Sequence, residues 1–528
     1  MQVRLEAKKG PVVSSPASAT QAFQQSTMTR LEQWARQLEN SPDDLVNVEQ
    51  QIDAHYRRGA GELVGHLLAH VGGSSRMNEH TQSIRENAAI ALRSPQDRPL
   101  QIRLLCGLVL WVTTAYCAPR RGSNTDSSEQ RAGLYPELAA LGFGKGCSPA
   151  LQYKVARLVA LSPSIEVARQ ELRREGIKLD KKTVRRIAEQ LGEQLLELRR
   201  RELFAWRAGR LEAGSEFAGR RVAVQIDGGR VRLRENKKRP KQRKKGSRSK
   251  FDTPWREPKA LIIFEFDKRG KMIKKQRQPL IDGTFLGPDH LAELVAFHLH
   301  WLGVAKAETV VFISDGARWI WDRLEWIEKR AGLDPSKSVH VLDFCHAAHH
   351  LSLALAHLGY SSTWRRKRYV ELRKLLYHSR YDVVVEKLTL RANGLLLPDD
   401  HDVWTEIRYL ESHGAQGHLR YQTFRRRGLP CGSGAIESAI RRVINLRLKS
   451  NAIYWLAENA EGVFMLRALL LCDRWETTLT RMRKEMARDR RIRWQWDAPD
   501  LANLKPGEKT QPPMQKTTII QADPAIAA

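Results

Sequence analysis

VAVQIDGG, residues 222–229, decides the fold. A short apolar, β-rich run ends in one aspartate followed by two glycines. Three more apolar runs follow: ALIIFEF at 260–266, TVVFISD at 309–315 and SVHVLD at 338–343. Helical patterns lie between them, HLAELVAFHLHWLG at 290–303 and ARWIWDRLEWIEKRAG at 317–332. Strands alternating with helices are the signature of an α/β fold.

Two of these strands end in Asp-Gly, at Asp227 and Asp315. Open α/β sheets bind ligands beyond the carboxyl ends of their strands. One such ending is commonplace, because Asp-Gly is also ordinary turn chemistry. Two in one sheet point to a site. Further along, LPCGSGAIES at 429–438 places one carboxylate, Glu437, after a run of small residues and ahead of Arg441, Arg442, Arg447 and Lys449. A glutamate in a first helical turn is often only a dipole partner, and Glu437 and Arg441 have the i,i+4 spacing of a surface salt bridge. The other reading makes Glu437 a third ligand for hard divalent cations, which take several oxygen donors. The small residues before it would let backbone or substrate approach closely.

The composition narrows the partner. Lys and Arg total 89 against 59 Asp and Glu, a net charge of +30, and 42% of the 528 residues are hydrophobic. A chain able to build a core yet this basic is expected to meet a polyanion, since phosphates attract such a surface at long range. No apolar run reaches the 18–20 residues of a membrane span. LLCGLVLWV, 104–112, is half that length and fits a buried helix. The N-terminus has no signal-peptide core. Six scattered cysteines without a CxxC pair point to a reducing cytosol and away from a zinc ribbon.

Residues 1–25 are Ser, Ala and Gln rich and are expected to form a disordered tail, as is 500–528. Residues 26–117 show helical spacing. Residues 148–210 predict three short helices whose last one opens with Lys181, Lys182, Arg185 and Arg186, a helix-turn-helix-like arrangement for DNA; a plain bundle with a solvated basic face is the alternative. RENKKRPKQRKKGSRSK, 234–250, carries ten basic residues against one acid. It predicts a mobile loop lying on phosphate, with Lys244 and Lys245 in its centre. Cys345, His346, His349 and His350 crowd one helix, of which His346 is the expected active-site neighbour. Trp321 and Trp455 are candidates for stacking on an unpaired base.

Asp227, Asp315 and Glu437, in this strand–strand–helix order, resemble the DDE triad of transposases with an RNase H-like catalytic core. More narrowly, the chain resembles the Kra-type transposases of bacterial insertion sequences, relatives of the eukaryotic Mutator-like group. The resemblance covers residues 130–475. It rests on GLYPELAALGFGKGCSPALQYKVARLVAL, QIDGGRV, FISDGARWIW, VLDFCHAAHHL and GSGAIESAIRRVINLRLKS followed by YW. Members of the wider group carry a Cys/Asp-x-x-His signature between the second Asp and the Glu, and Asp343-Phe-Cys-His346 matches it, which implies auxiliary active-site roles for Asp343 and His346. Some relatives carry an N-terminal zinc-binding cysteine cluster; this chain has only Cys106 and Cys117 there, and no zinc is expected.

The resemblance implies an α/β, RNase H-like core with a mixed sheet, built from 220–358 and 429–475 and interrupted by an all-helical insertion at 359–428. It implies two Mg²⁺ (or Mn²⁺) ions held by Asp227, Asp315 and Glu437. It implies metal-dependent cleavage and strand transfer of double-stranded DNA, with terminal inverted repeats and target DNA as partners. A homo-oligomer would form when two ends are synapsed, in the bacterial cytoplasm at the nucleoid. The competing classes are a domesticated, non-catalytic DNA-binding protein and a structure-specific nuclease.

Overall fold

The computed structural model describes residues 1–5, 16–88, 91–120, 133–236, 251–274, 278–449 and 453–489. They form two compact units, one of Leu195–Thr478 and one of Met1–Gln194 with Leu479–Asp489. The expected tail at 500–528 and the centre of the basic loop, with Lys244 and Lys245, lie outside the described residues.

The larger unit holds a five-stranded sheet. Its strands are β1 (Arg221–Gly228), β2 (Lys259–Glu265), β3 (Leu280–Thr284), β4 (Thr309–Ser314) and β5 (Ser338–Leu342), in spatial order β3-β2-β1-β4-β5. β3, β2 and β1 run antiparallel in turn, and β4 runs parallel to both β1 and β5. The chain is therefore mixed α/β, as the alternating pattern predicts.

Both faces of the sheet are covered, which is why its strands are almost continuously apolar. Val222, Val224 and Ile226 point to the face packed by α1 (Pro288–Trp301) and α2 (Arg318–Ala331). Ala223, Val311 and Ile313 point the other way, into a core shared with α3 (Phe344–His357). Four helices follow, α4 (Ser362–Tyr377), α5 (Tyr381–Gly394), α6 (Asp402–Ala415) and α7 (Tyr421–Arg426). Leu376, Val384, Leu388, Ile407 and Leu410 of these helices join the same core. The chain then returns to that face through α8 (Gly434–Ile440) and α9 (Ala457–Leu471).

The helix that carries Glu437 is shorter than its sequence predicts. The α-helix is seven residues long, and a π-helical turn, Arg441–Asn445, follows Ile440. β3 was missed for a physical reason. LIDGT is five residues long and lies against the edge of the sheet, too short for an alternation to show.

In the smaller unit, the tail expected at 1–25 is partly structured: Gln2–Arg4 is a strand with Val3 fully buried, and a helix runs over Pro16–Asn40. Helices Leu45–Gly72 and Ser75–Glu86 agree with the helical spacing. The rest of 26–117 does not. Gln96–Arg103 and Val109–Tyr116 form an antiparallel pair, with Gln2–Arg4 on the other side of the second strand. The stretch 104–112 is thus a turn and a strand. Gly107 at φ +89° allows the reversal, and the β-branched and aromatic run from Val109 to Tyr116 outweighs the helical spacing.

The three helices are Pro149–Leu161, Ile165–Arg174 and Lys181–Arg207, the third 27 residues long where a short one was expected. Asp180 caps the third, its Oδ1 accepting the Thr183 N–H at 2.9 Å and its Oδ2 the Thr183 hydroxyl at 2.6 Å. No helix among the described residues is long and apolar enough to cross a membrane.

One buried charge cluster fixes the edge of the sheet. Arg199 donates to Asp282 Oδ1 at 2.8 Å, to the Gly283 carbonyl at 2.9 Å and to Glu461 Oε1 at 2.5 Å. His298 Nε2 lies 2.8 Å from Asp282 Oδ2. Burial penalises both charges, but the pairing outweighs it: Arg199 stays above its ordinary pKa and Asp282 below its own. Asp282 also precedes a glycine, yet its carboxylate is consumed by structure. Arg199→Ala strands two buried carboxylates, and urea unfolding should show a loss of about 3–5 kcal/mol; a loss under about 1 kcal/mol would mean that the cluster is solvated.

Candidate active site

The sheet register brings the two Asp-Gly carboxylates together. Gln225 of β1 lies opposite Ile313 of the parallel neighbour β4. Two residues further on each strand, Asp227 and Asp315 stand side by side at the carboxyl ends. Ser314 lies opposite Leu342 of β5, so Asp343 continues the row. Side chains alternate along a strand. Asp227 therefore shares the face of Ala223 and Gln225, and Asp315 that of Val311 and Ile313. That is the face α8 packs on.

α8 is held there by a buried amide. Gln225, 1% exposed in the middle of β1, donates from Nε2 to the Gly432 carbonyl and accepts the Ile436 N–H at Oε1, both at 2.9 Å. Asp343 clamps the same segment from the other side. Its Oδ2 accepts the Ser433 N–H, and its Oδ1 caps α3 by accepting the His346 N–H at 2.8 Å. Asp343 is thus 1% exposed and saturated by backbone donors; it positions the loop and the His346 helix. The small residues before Glu437 serve this close approach.

Glu437 then projects, exposed, from the first turn of α8. Its Oε1 accepts the Ser433 hydroxyl at 3.0 Å. Among the described residues it forms no ion pair with Arg441, so the surface salt bridge allowed by the spacing is absent. Asp227 is half-buried, and burial pushes its carboxyl up to about 6. The Gly228 N–H, which donates to Oδ1 at 2.6 Å, pulls it down. The Asp315 and Glu437 charges push it further up, and His346 offsets part of this. The four groups therefore lie within electrostatic reach of one another. Cys345, next to His346, is also raised, by burial and then by Asp343 and Glu437.

As placed, these groups face one another without closing into a coordination sphere: among the described residues no three His, Cys, Asp or Glu side chains converge to share an ion. Their donor chemistry still fits a hard divalent cation. All three carboxylates are oxygen donors. Asp227 Oδ2, Asp315 Oδ2 and Glu437 Oε2 accept no hydrogen bond from a described residue, while Oδ1 of Asp315 accepts weakly from Ala317 N–H at 3.3 Å.

The helical insertion is tied to this edge. Tyr409 of α6 accepts the Gly316 N–H at its hydroxyl, 3.1 Å away, directly after Asp315. A Cβ at Gly316 would stand 2.1 Å from that hydroxyl, so any side chain there would displace the Tyr409 ring. His350 stacks on Tyr409 at 3.7 Å and pairs through Nδ1 with Glu406 Oε2 at 2.6 Å. Tyr421 donates to the Leu342 carbonyl at 3.0 Å.

The expected phosphate contacts divide. Lys181, Lys182, Arg185 and Arg186 are all exposed, opposite the buried Val184, Ile187 and Ala188. Arg441 and Lys449 are exposed and Arg442 partly so. Arg447 is not available: it is 2% exposed, and burial and then the Arg467 charge lower its pKa to about 10. Trp321 is a packing residue, stacked on His418 at 4.2 Å and edge-on to His413 at 5.0 Å. Burial lowers these imidazoles to about 3 and about 4, so they are neutral at physiological pH. Trp455 is half-buried, its Nε1 donating to the Leu448 carbonyl at 3.2 Å.

Gln225, Ser433 and Tyr409 were not foreseen. Gln225 had a signal, a lone amide interrupting an apolar strand; Tyr409 had none, being far from Gly316 in sequence. No protein-family model matches the chain, and no curated protein matches it.

The raised Asp227 carboxyl has a signed consequence. Between the ordinary carboxylate pKa and about 6 the folded state binds more protons than the unfolded one, so stability falls as pH rises through that window. Asp227→Asn should therefore stabilise the metal-free protein at pH 7.5, by up to about 2 kcal/mol after allowance for partial exposure, and change little at pH 4. Calorimetric melting in chelator measures this, and an unchanged or lower melting temperature at pH 7.5 contradicts a strained carboxylate cluster.

Proposed function

We propose that this chain is a DDE-type DNA transposase of a bacterial insertion sequence, with an RNase H-like core. The observation that carries the reading is that Asp227, Asp315 and Glu437, far apart in sequence, come within electrostatic reach of one another on one face, at the carboxyl ends of β1 and β4. The mixed sheet and the all-helical insertion between the second and third acids support it. So does the net charge of +30.

In this reading Asp227, Asp315 and Glu437 hold divalent Mg²⁺ or Mn²⁺. The cations would supply activation of an attacking water or 3′-OH and neutralisation of the leaving oxygen, with no covalent protein intermediate. The chain's own residues do the rest. Gln225 and Asp343 fix the α8 start, so Glu437 is carried on a rigid element. In the metal-free protein the Ser433 hydroxyl holds Glu437 by one oxygen, and Glu437 would turn from it to reach a cation. His346, whose charge reaches Asp227, would hydrogen-bond a phosphate. Lys181, Lys182, Arg185 and Arg186 would lie on the phosphate backbone of the element's ends, and Arg441, Arg442 and Lys449 on DNA near Glu437. Joining two ends coordinately calls for a homo-oligomer.

The test uses DNA ending in the inverted repeats that flank the gene. Wild-type protein should nick it in Mg²⁺ and join the freed 3′-OH to a second duplex. Asp227→Asn, Asp315→Asn and Glu437→Gln should each lower cleavage by on the order of 10²–10³-fold or more. Retained Mg²⁺-dependent cleavage in any of the three contradicts the assignment. Cutting without joining assigns a nuclease, and binding without cutting a domesticated DNA-binding protein.

A further inference from the structure

Directly beyond Asp227 the chain leaves the sheet through Gly228 and Gly229 and enters a short hairpin. Val231–Arg232 pairs with Trp255–Arg256, and Glu235–Asn236 with Phe251–Asp252. Its residues alternate. Val231 and Leu233 are buried, at 0% and 6%, and anchor the hairpin to the core. Arg230, Arg232 and Arg234 fall on the opposite face by strand geometry.

On that outer face the arginines interleave with aromatic rings. The Arg232 guanidinium lies 4.8 Å from the Trp255 ring centre and Arg230 5.9 Å, while Lys449 Nζ reaches it at 5.7 Å. Arg234 lies 4.3 Å from the Phe251 ring, and Tyr454 packs beside Phe251 at 5.9 Å. These rings are open to solvent. Trp255 is 44% exposed, Phe251 and Tyr454 each 38%. Large exposed rings cost solvation, and a core role does not explain them. Trp321 and Trp455, by contrast, are engaged in packing and hydrogen bonding.

We propose that Trp255 and Phe251, framed by Arg230, Arg232, Arg234 and Lys449, form a stacking platform for unpaired DNA. Single strands are bound without sequence preference where basic groups track the backbone and aromatic side chains receive the bases. Charge complementarity favours that occupant: the cations outnumber the hairpin's carboxylates Glu235 and Asp252, and Glu235 is itself held by Arg256 Nε at 3.0 Å. A duplex keeps its bases stacked and offers the rings nothing. Arg232 is five residue steps beyond Asp227, at most about 17 Å of extended chain, so a strand on the platform would be frayed within a few nucleotides of the carboxylates. The choice of DNA over another polynucleotide rests on the proposed function; the stacking does not.

The test is binding by the full chain in EDTA, where no cleavage occurs. Anisotropy of a short fluorescein-labelled oligothymidylate is compared with that of a duplex of equal length. Wild-type protein should bind the single strand. Trp255→Ala and Phe251→Ala should each weaken that binding about 5- to 100-fold, with duplex affinity and melting temperature unchanged, and Trp255→Phe should restore most of it. Wild-type-like single-strand affinity in both alanine variants overturns the platform, as does a wild-type protein that binds no single strand. Trp255-dependent binding without Mg²⁺ cleavage would leave the platform standing and remove the transposase reading. Cleavage with Trp255-independent binding would do the reverse.

Discussion

The buried amide of Gln225 is the contact on which the candidate site depends. It satisfies one carbonyl and one N–H of the 432–436 segment from within the central strand. A buried amide left half-paired costs about 1–3 kcal/mol, so α8 has one seating that satisfies it. That seating puts Glu437 on the face already chosen for Asp227 and Asp315 by the parallel register of β1 and β4. Asp343 repeats the logic from β5, binding the Ser433 N–H and the start of α3 with one carboxylate. Two internal polar side chains thus align elements that are remote in sequence.

The cost of the arrangement falls on Asp227. Burial and two neighbouring acids oppose its charge, and the carboxylates stand apart, short of a shared coordination sphere. A bound cation would offset the repulsion among them. The opposite solution is found at Asp282, whose charge is cancelled by Arg199 inside the protein. Two Asp-Gly strand residues of one sheet thus have opposite electrostatics, the first under-compensated and open, the second compensated and closed.

Much of this was legible in the chain. Apolar runs ending in Asp-Gly announced the sheet and two of its acids, because a strand buried on both faces shows as an unbroken hydrophobic stretch. The helical insertion was legible from spacing. Glu437 was ambiguous: its i,i+4 relation to Arg441 is local, while the contacts that place it are made by Gln225 and Asp343, far away in sequence. The hairpin at 96–116 was misread because spacing of apolar residues does not distinguish a short strand from a buried helix. Arg447 was read as a surface cation since its neighbours are; the π-helical turn at Arg441–Asn445 precedes it, and it ends buried.

The central claim is that Asp227, Asp315 and Glu437 constitute one divalent-metal site. The most direct measurement is anomalous scattering from crystals soaked in Mn²⁺. The account predicts manganese between Asp227 and Asp315 with Glu437 turned from Ser433 to complete the ligand set, and loss of that signal in Asp227→Asn. Manganese bound elsewhere, or a Glu437 that stays on Ser433 while metal occupies the two aspartates, would contradict it.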